Sequence, residues 1–183
     1  MERGAGVLST HPLQAFPTVE AGIDRFPGSS MAITGRSEEA VSFGETLAAD
    51  AGGVPFRLAE GMKPLYHAAA VFCANYLVTV EAIAEELFRI AGVEEPVPRF
   101  APLATAVLDR TLTEGPAHAL TGPAVRGDVG TVRRNLEALA EHSPEAVAAY
   151  VDLARLALRL AAGGRKIAEA DRERIEHELS RWK

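Results

Sequence analysis

The chain has 183 residues, 48% hydrophobic and 24% charged, which suits a folded globular protein with one domain or two small ones around a real core. A formal net charge of −6 argues against a nucleic-acid partner, and no apolar stretch of 18 residues is free of charge, which argues against a membrane span. A single cysteine, Cys73, excludes an internal disulfide framework and fits a reducing, cytoplasmic compartment, and the first residues, Met1 to Gly6, have no apolar signal-peptide core.

In chain order, Ala5 to Thr10 reads as a short buried strand. It runs into His11-Pro12-Leu13-Gln14-Ala15-Phe16-Pro17, a loop by its two prolines. Residues 18–29 predict loop or weak helix. Ser30 to Thr34 is a second strand, closed by Gly35. Ser37 caps a helix with Glu38 and Glu39 in its first turn, where carboxylates complement the dipole; it runs to about Ala51 and stops at Gly52-Gly53. Val54 to Ala59 is a third strand, with Pro55 marking an edge or a strand start. A strand–helix–strand unit of this length favours a parallel crossover. Three strands and one helix make a poor independent domain. Residues 1–60 are therefore expected to be an α/β remnant, the last strands of a Rossmann-like parallel sheet. Gly4-Ala5-Gly6 is no dinucleotide-binding turn: it lacks the third glycine, follows no strand and starts no helix.

Gly61 to Gly92 predicts one long helix, with Pro64 in the first turn and Gly92 at the stop. About thirty residues at roughly 1.5 Å each make a rod of about 45 Å. Its first half is apolar nearly all round and is expected to be buried on most sides, with Cys73 as a small core residue. Lys63 and His67 lie about 40° apart around it, with Asn75 about 80° further round. Beyond it, Val93 to Pro98 is a proline-bearing connector. A helix is expected from about Arg99 to Thr113, with Leu103, Val107 and Leu108 on its apolar face. Gly115-Pro116 breaks it before a short turn at residues 117–120. Thr121-Gly122-Pro123-Ala124-Val125-Arg126-Gly127-Asp128 is a loop of fixed shape, and Asp128 can cap a helix to about His142 with Val132, Leu136 and Leu139 on one face. Ser143-Pro144-Glu145 starts the next helix, which ends at Gly163-Gly164. A last helix, Ala168 to Trp182, is mostly charged and packs through Ile167, Ile175, Leu179 and Trp182. Residues 61–183 are thus expected to be all helical.

The polar residues of interest each have two readings. His11, at the carboxyl end of a strand, points either into a ligand crevice as a proton-transferring imidazole or onto a backbone carbonyl. Lys63 either binds a substrate carboxylate or is solvated. His67 and Asn75, on a largely apolar helix, need partners, because an unpaired buried polar group costs about 1–3 kcal/mol. His67 has no second metal ligand at i+4, where Val71 stands, so no metal is assigned. Arg126 either clamps an anion or pairs with Asp128.

Taken together, His11-Pro12-Leu13-Gln14, Tyr66-His67-Ala68-Ala69-Ala70-Val71, Asn75-Tyr76-Leu77 and the run Leu120 to Asp128 resemble a family of bacterial oxidoreductase-like proteins. These join a Rossmann NAD(P) domain to a helical domain of the 6-phosphogluconate dehydrogenase C-terminal type. Ketopantoate reductase, pyrroline-5-carboxylate reductase and prephenate dehydrogenase are similar at greater distance. Against that pattern this chain lacks the nucleotide-binding front half. The resemblance implies NADP or NAD as cofactor, a homodimer through the helical domain, and a small oxo or hydroxy acid as substrate. It implies His11, Lys63 and His67 as catalytic residues and Gln14, Asn75 and Arg126 as substrate-binding ones. The competing expectation is a non-catalytic homologue that serves as a helical dimerisation or small-ligand-binding module.

Overall fold

A computed structural model describes residues 6–164 and 167–182. The chain divides into two compact units, Met1–Thr79 and Val80–Lys183, so the division falls inside a helix. The first unit contains β1 (Leu8–Pro12), α1 (Val19–Arg25), β2 (Ser30–Gly35), α2 (Glu38–Asp50), β3 (Val54–Arg57), a 3-10 turn at Glu60–Met62, and α3 (Lys63–Cys73). The strands lie in the order β1-β2-β3. β2 and β3 are parallel across α2, as the crossover pattern predicts, and β3 with its Pro55 is an edge. β1, however, runs antiparallel to β2, so the sheet is mixed rather than the parallel remnant expected. The connection explains this. A parallel crossover must cover a sheet face, whereas the short helix α1 between β1 and β2 has no buried residue.

β1 also starts and ends later than expected. His11 therefore stands inside the strand, opposite Ala32, rather than beyond its end, and Pro12 is tolerated because β1 is the other edge. Ala5, the expected start, lies outside the described residues. Met31 and Ile33 of β2 face α2 and form a small core with Ala48, Phe26 and Val41. The buried stripe of α2 is Ala40, Gly44 and Ala48, all small, at four-residue spacing. At Gly44 the approach is so close that a Cβ would meet Ile33 Cγ2 at 2.8 Å. Arg57 fastens β3 to the same helix, donating to both oxygens of Glu45 at 2.8 Å and to Glu38 at 2.9 Å. The opposite sheet face carries Ala32 and Thr34; the Thr34 hydroxyl donates to the Leu58 carbonyl at 3.0 Å.

The expected single rod is two helices. α4 (Asn75–Ile90) follows α3 after an interruption at Ala74, whose φ of −116° leaves the helical range. Pro64 stands in the first turn of α3 as expected, and α4 ends near Gly92, where the Val93 N–H reaches back to the Phe88 carbonyl. Burial is the larger departure. No residue of α3 or α4 is buried, and Cys73 is exposed rather than in a core. By length and composition the run Glu60–Ile90 is sufficient to cross a bilayer, so charge spacing alone does not exclude a span.

The second unit continues with α5 (Pro96–Glu114), α6 (Pro116–Ala119), α7 (Val129–His142), α8 (Glu145–Gly163) and α9 (Glu169–Ser180). Its core is Ala124, Val132, Leu136, Val151, Leu158, Ile175 and Leu179, with Ile167 and Trp182 packed against it. These are the faces expected of α7 and α9; of the apolar residues expected to pack from α8, Val147, Val151 and Leu158 do so, whereas Leu153, Leu156 and Leu160 are exposed. α5 begins at Pro96, earlier than expected: a proline suits the first turn, where its missing N–H costs nothing. The apolar face predicted for α5 stays uncovered, with Leu103 66%, Val107 51% and Leu108 41% exposed.

Candidate functional site

On the sheet face opposite α2, the strand register sets three residues in a row. His11 of β1 pairs with Ala32 of β2, and Ala32 pairs with Phe56 of β3. Directly opposite residues on neighbouring strands point the same way, and strands stand about 4.8 Å apart. Two rings therefore flank a single methyl group, and the hollow between them receives Tyr66 of α3. Its ring centre lies 5.5 Å from that of His11, edge-on, and 5.9 Å from that of Phe56.

The Tyr66 side chain is held on both sides, and its hydroxyl oxygen is buried with no hydrogen-bond partner among the described residues. Burial pushes its pKa above the ordinary 10.0, so the phenol remains protonated at neutral pH. The next residue, His67, turns its ring to 6.3 Å from that of His11, at 87°. Both imidazoles are exposed in this chain. Lys63, half-buried, is one turn before His67 and so shares its side of α3. Two imidazoles, an ammonium and a buried phenol form a donor-rich patch suited to an anionic ligand that carries a carbonyl.

Of the residues singled out in the sequence, His11, His67 and Lys63 thus gather within the first unit. Gln14 does not join them through any described contact; its side-chain oxygen accepts from the Ala15 N–H at 2.9 Å. Asn75 opens α4 beyond the Ala74 interruption and is exposed. Arg126 belongs to the second unit, exposed in the turn before α7. The loop that holds it owes its form to packing. Gly127 has a φ of +71°, and a Cβ there would meet Asp171 Cβ at 2.8 Å. Asp128 caps α7, accepting from the backbone N–H and hydroxyl of Thr131 at 3.0 and 2.7 Å. These bonds, the backbone one foremost, hold its carboxyl below the usual range, helped by the nearby charges of Arg134 and Arg126.

Sequence reasoning passed over Tyr66. The available signal was its place three residues after Lys63 and beside His67, a phenol on an otherwise apolar helix. In the second unit, an open apolar pocket of about 500 Å³ is lined by Leu87, Ile90, Leu139, His142, Asn135 and Tyr150. Its Asn135 amide already donates to the Tyr150 hydroxyl at 3.1 Å.

A dinucleotide cofactor would need backbone N–H groups and a positive helix end for its diphosphate. The strand-to-helix turn of the parallel crossover is Gly35-Arg36-Ser37, and α2 opens with Glu38 and Glu39. Ser37 already caps this end by accepting from the Ala40 N–H. Two carboxylates at that helix start, one of them paired with Arg57, disfavour a diphosphate there.

Among curated proteins, none matches this chain. Among solved structures it is similar to protein TM1727 from Thermotoga maritima, at 24% identity and a TM-score of 0.71, over 86% of this chain and 62% of that one; this likeness shows the fold. It is also similar to BF3122 from Bacteroides fragilis, described as a "putative NADP oxidoreductase", at 25% identity and a TM-score of 0.62, over 86% of this chain and 56% of that one. The chain therefore spans less than two thirds of either protein's length; both likenesses show a shared fold, and the second supports describing that fold as oxidoreductase-like. Residues 29–157, well over half the chain, match the domain of unknown function DUF2520, and the protein belongs to that family.

Proposed function

We propose that this chain is the substrate-side portion of an NAD(P)-dependent oxidoreductase of the ketopantoate reductase and 6-phosphogluconate dehydrogenase type, acting on a small oxo or hydroxy acid in the cytoplasm. One observation carries the reading: the imidazoles of His11 and His67 stand 6.3 Å apart beside Tyr66, on a sheet face that α2 leaves free. In this reading His11 or Lys63 exchanges a proton with the substrate oxygen, and His67 orients it. Gln14 and Asn75 bind the remainder of the acid. We further propose a homodimer through the helical unit, because α5 leaves Leu103, Val107 and Leu108 uncovered.

The test is a titration of NADPH and NADH by fluorescence, followed at 340 nm with a panel of small oxo acids. Weak but saturable binding is expected, with oxidation slowed at least about tenfold by His67→Ala. Absence of binding at millimolar dinucleotide, with no oxidation, overturns the reading for this chain. It would favour the second one, a non-catalytic dimerisation or small-ligand module, to which Glu38 and Glu39 at the α2 start already point.

A further inference from the structure

We propose that the Tyr66 hydroxyl is the hydrogen-bond donor for the oxo oxygen of a small 2-oxo acid, seated against the paired imidazoles of His11 and His67. The proposal rests on the oxo-acid reading above and gives it a residue and a role that the sequence did not supply. Three observations converge. The hydroxyl is buried and unpartnered among the described residues, a state that native proteins avoid unless something else completes the bond. Its ring is held between His11 and Phe56, at 5.5 and 5.9 Å. The phenol is protonated at neutral pH, and burial moves its pKa further up, so it has a proton to donate.

The ligand class follows from the neighbouring groups. A carbonyl oxygen can only accept, which matches a phenol with a proton to give. A carboxylate matches Lys63 and His67, which share one side of α3. A 2-oxo acid carries both acceptors on adjacent carbons, so one small molecule can meet the phenol and the cationic side together. Tyr66 would thus touch the substrate and fix the orientation of its carbonyl; no covalent bond forms in this step.

The experiment titrates the whole chain and its Tyr66→Phe variant with pyruvate, and with propionate as the analogue without the oxo oxygen. Binding is read by NMR shifts at neutral pH, with no nucleotide present. The wild-type protein should prefer pyruvate. Y66F should weaken pyruvate about tenfold and leave propionate unchanged. The unliganded variant should melt at or above the wild-type temperature, because it deletes a buried polar atom that has no partner. The proposal is overturned by equal pyruvate affinity in both proteins, by equal losses for pyruvate and propionate, or by no saturation of the wild type at tens of millimolar pyruvate. A lower melting temperature for unliganded Y66F overturns it too, since the hydroxyl would then already be bonded. The dinucleotide plays no part, so a failure here and a failure of cofactor binding are separate results.

Discussion

Glu178 is the residue on which the helical unit turns a charge inward. It is 2% exposed, and its carboxylate accepts from Arg133 at 2.7 and 3.1 Å, from Arg181 at 3.1 and 3.2 Å, and from the Trp182 ring N–H at 3.4 Å. The Arg133 hydrogen bond is the main reason that its pKa lies below the ordinary 4.5, outweighing the opposing effect of burial. A carboxyl with a depressed folded-state pKa adds stability above its unfolded value and loses it as pH falls through the folded one. Glu178→Gln should therefore lower unfolding stability by about 1–3 kcal/mol at neutral pH, at the modest end for a buried pair because both arginines stay near water. The gap to the wild type should begin to narrow as pH falls below about 4.5 and close once pH has fallen through the lower folded-state pKa of Glu178. Urea unfolding across that range measures it; a gap that widens in acid would contradict the assignment.

Among the elements, α2 shows how small residues set a packing distance. Gly44 would ordinarily be improved by alanine, since glycine costs a helix interior about 1 kcal/mol. Here the Cβ would strike Ile33 Cγ2 at 2.8 Å, at the centre of a small core. Gly44→Ala should reverse the usual sign and destabilise by about 1–2 kcal/mol, read as a lower thermal midpoint. A stabilised variant would mean that α2 can lift from the sheet freely. α7, α8 and α9 were legible as elements because their apolar faces close on one another. α3 and α5 have equally clear apolar faces, yet the faces are exposed in the single chain. Periodicity reports that a face is apolar; it does not report what covers it.

For the whole molecule, the uncovered face of α5 decides the expected assembly. Leu103 and Val107 lie about one turn apart on the same side of α5, a spacing that suits a helix of a second copy. The proposed homodimer should give about twice 19.4 kDa by light scattering. The double change Leu103→Glu, Val107→Glu should give a monomer with unchanged helix content. A wild-type monomer at micromolar concentration would count against the dimer, and recovery of the chain only with lipid or detergent would instead assign the run Glu60–Ile90 to a bilayer.

The sequence by itself determined the strand–helix–strand unit, the caps at Ser37 and Asp128, the helical second half and the packing faces of α7 and α9. These are local properties: they follow from periodicity, first-turn chemistry and chain breaks within a few residues. It also marked His11, Lys63 and His67, though not as neighbours of Tyr66. Only the tertiary structure decided that β1 runs antiparallel, which places His11 inside a strand and opposite Ala32. Register then aligned His11 with Phe56 across the sheet, and α3 laid Tyr66 between them. Pairing between strands, and the choice of which face a helix lies on, depend on partners distant in the chain, and no local pattern encodes them.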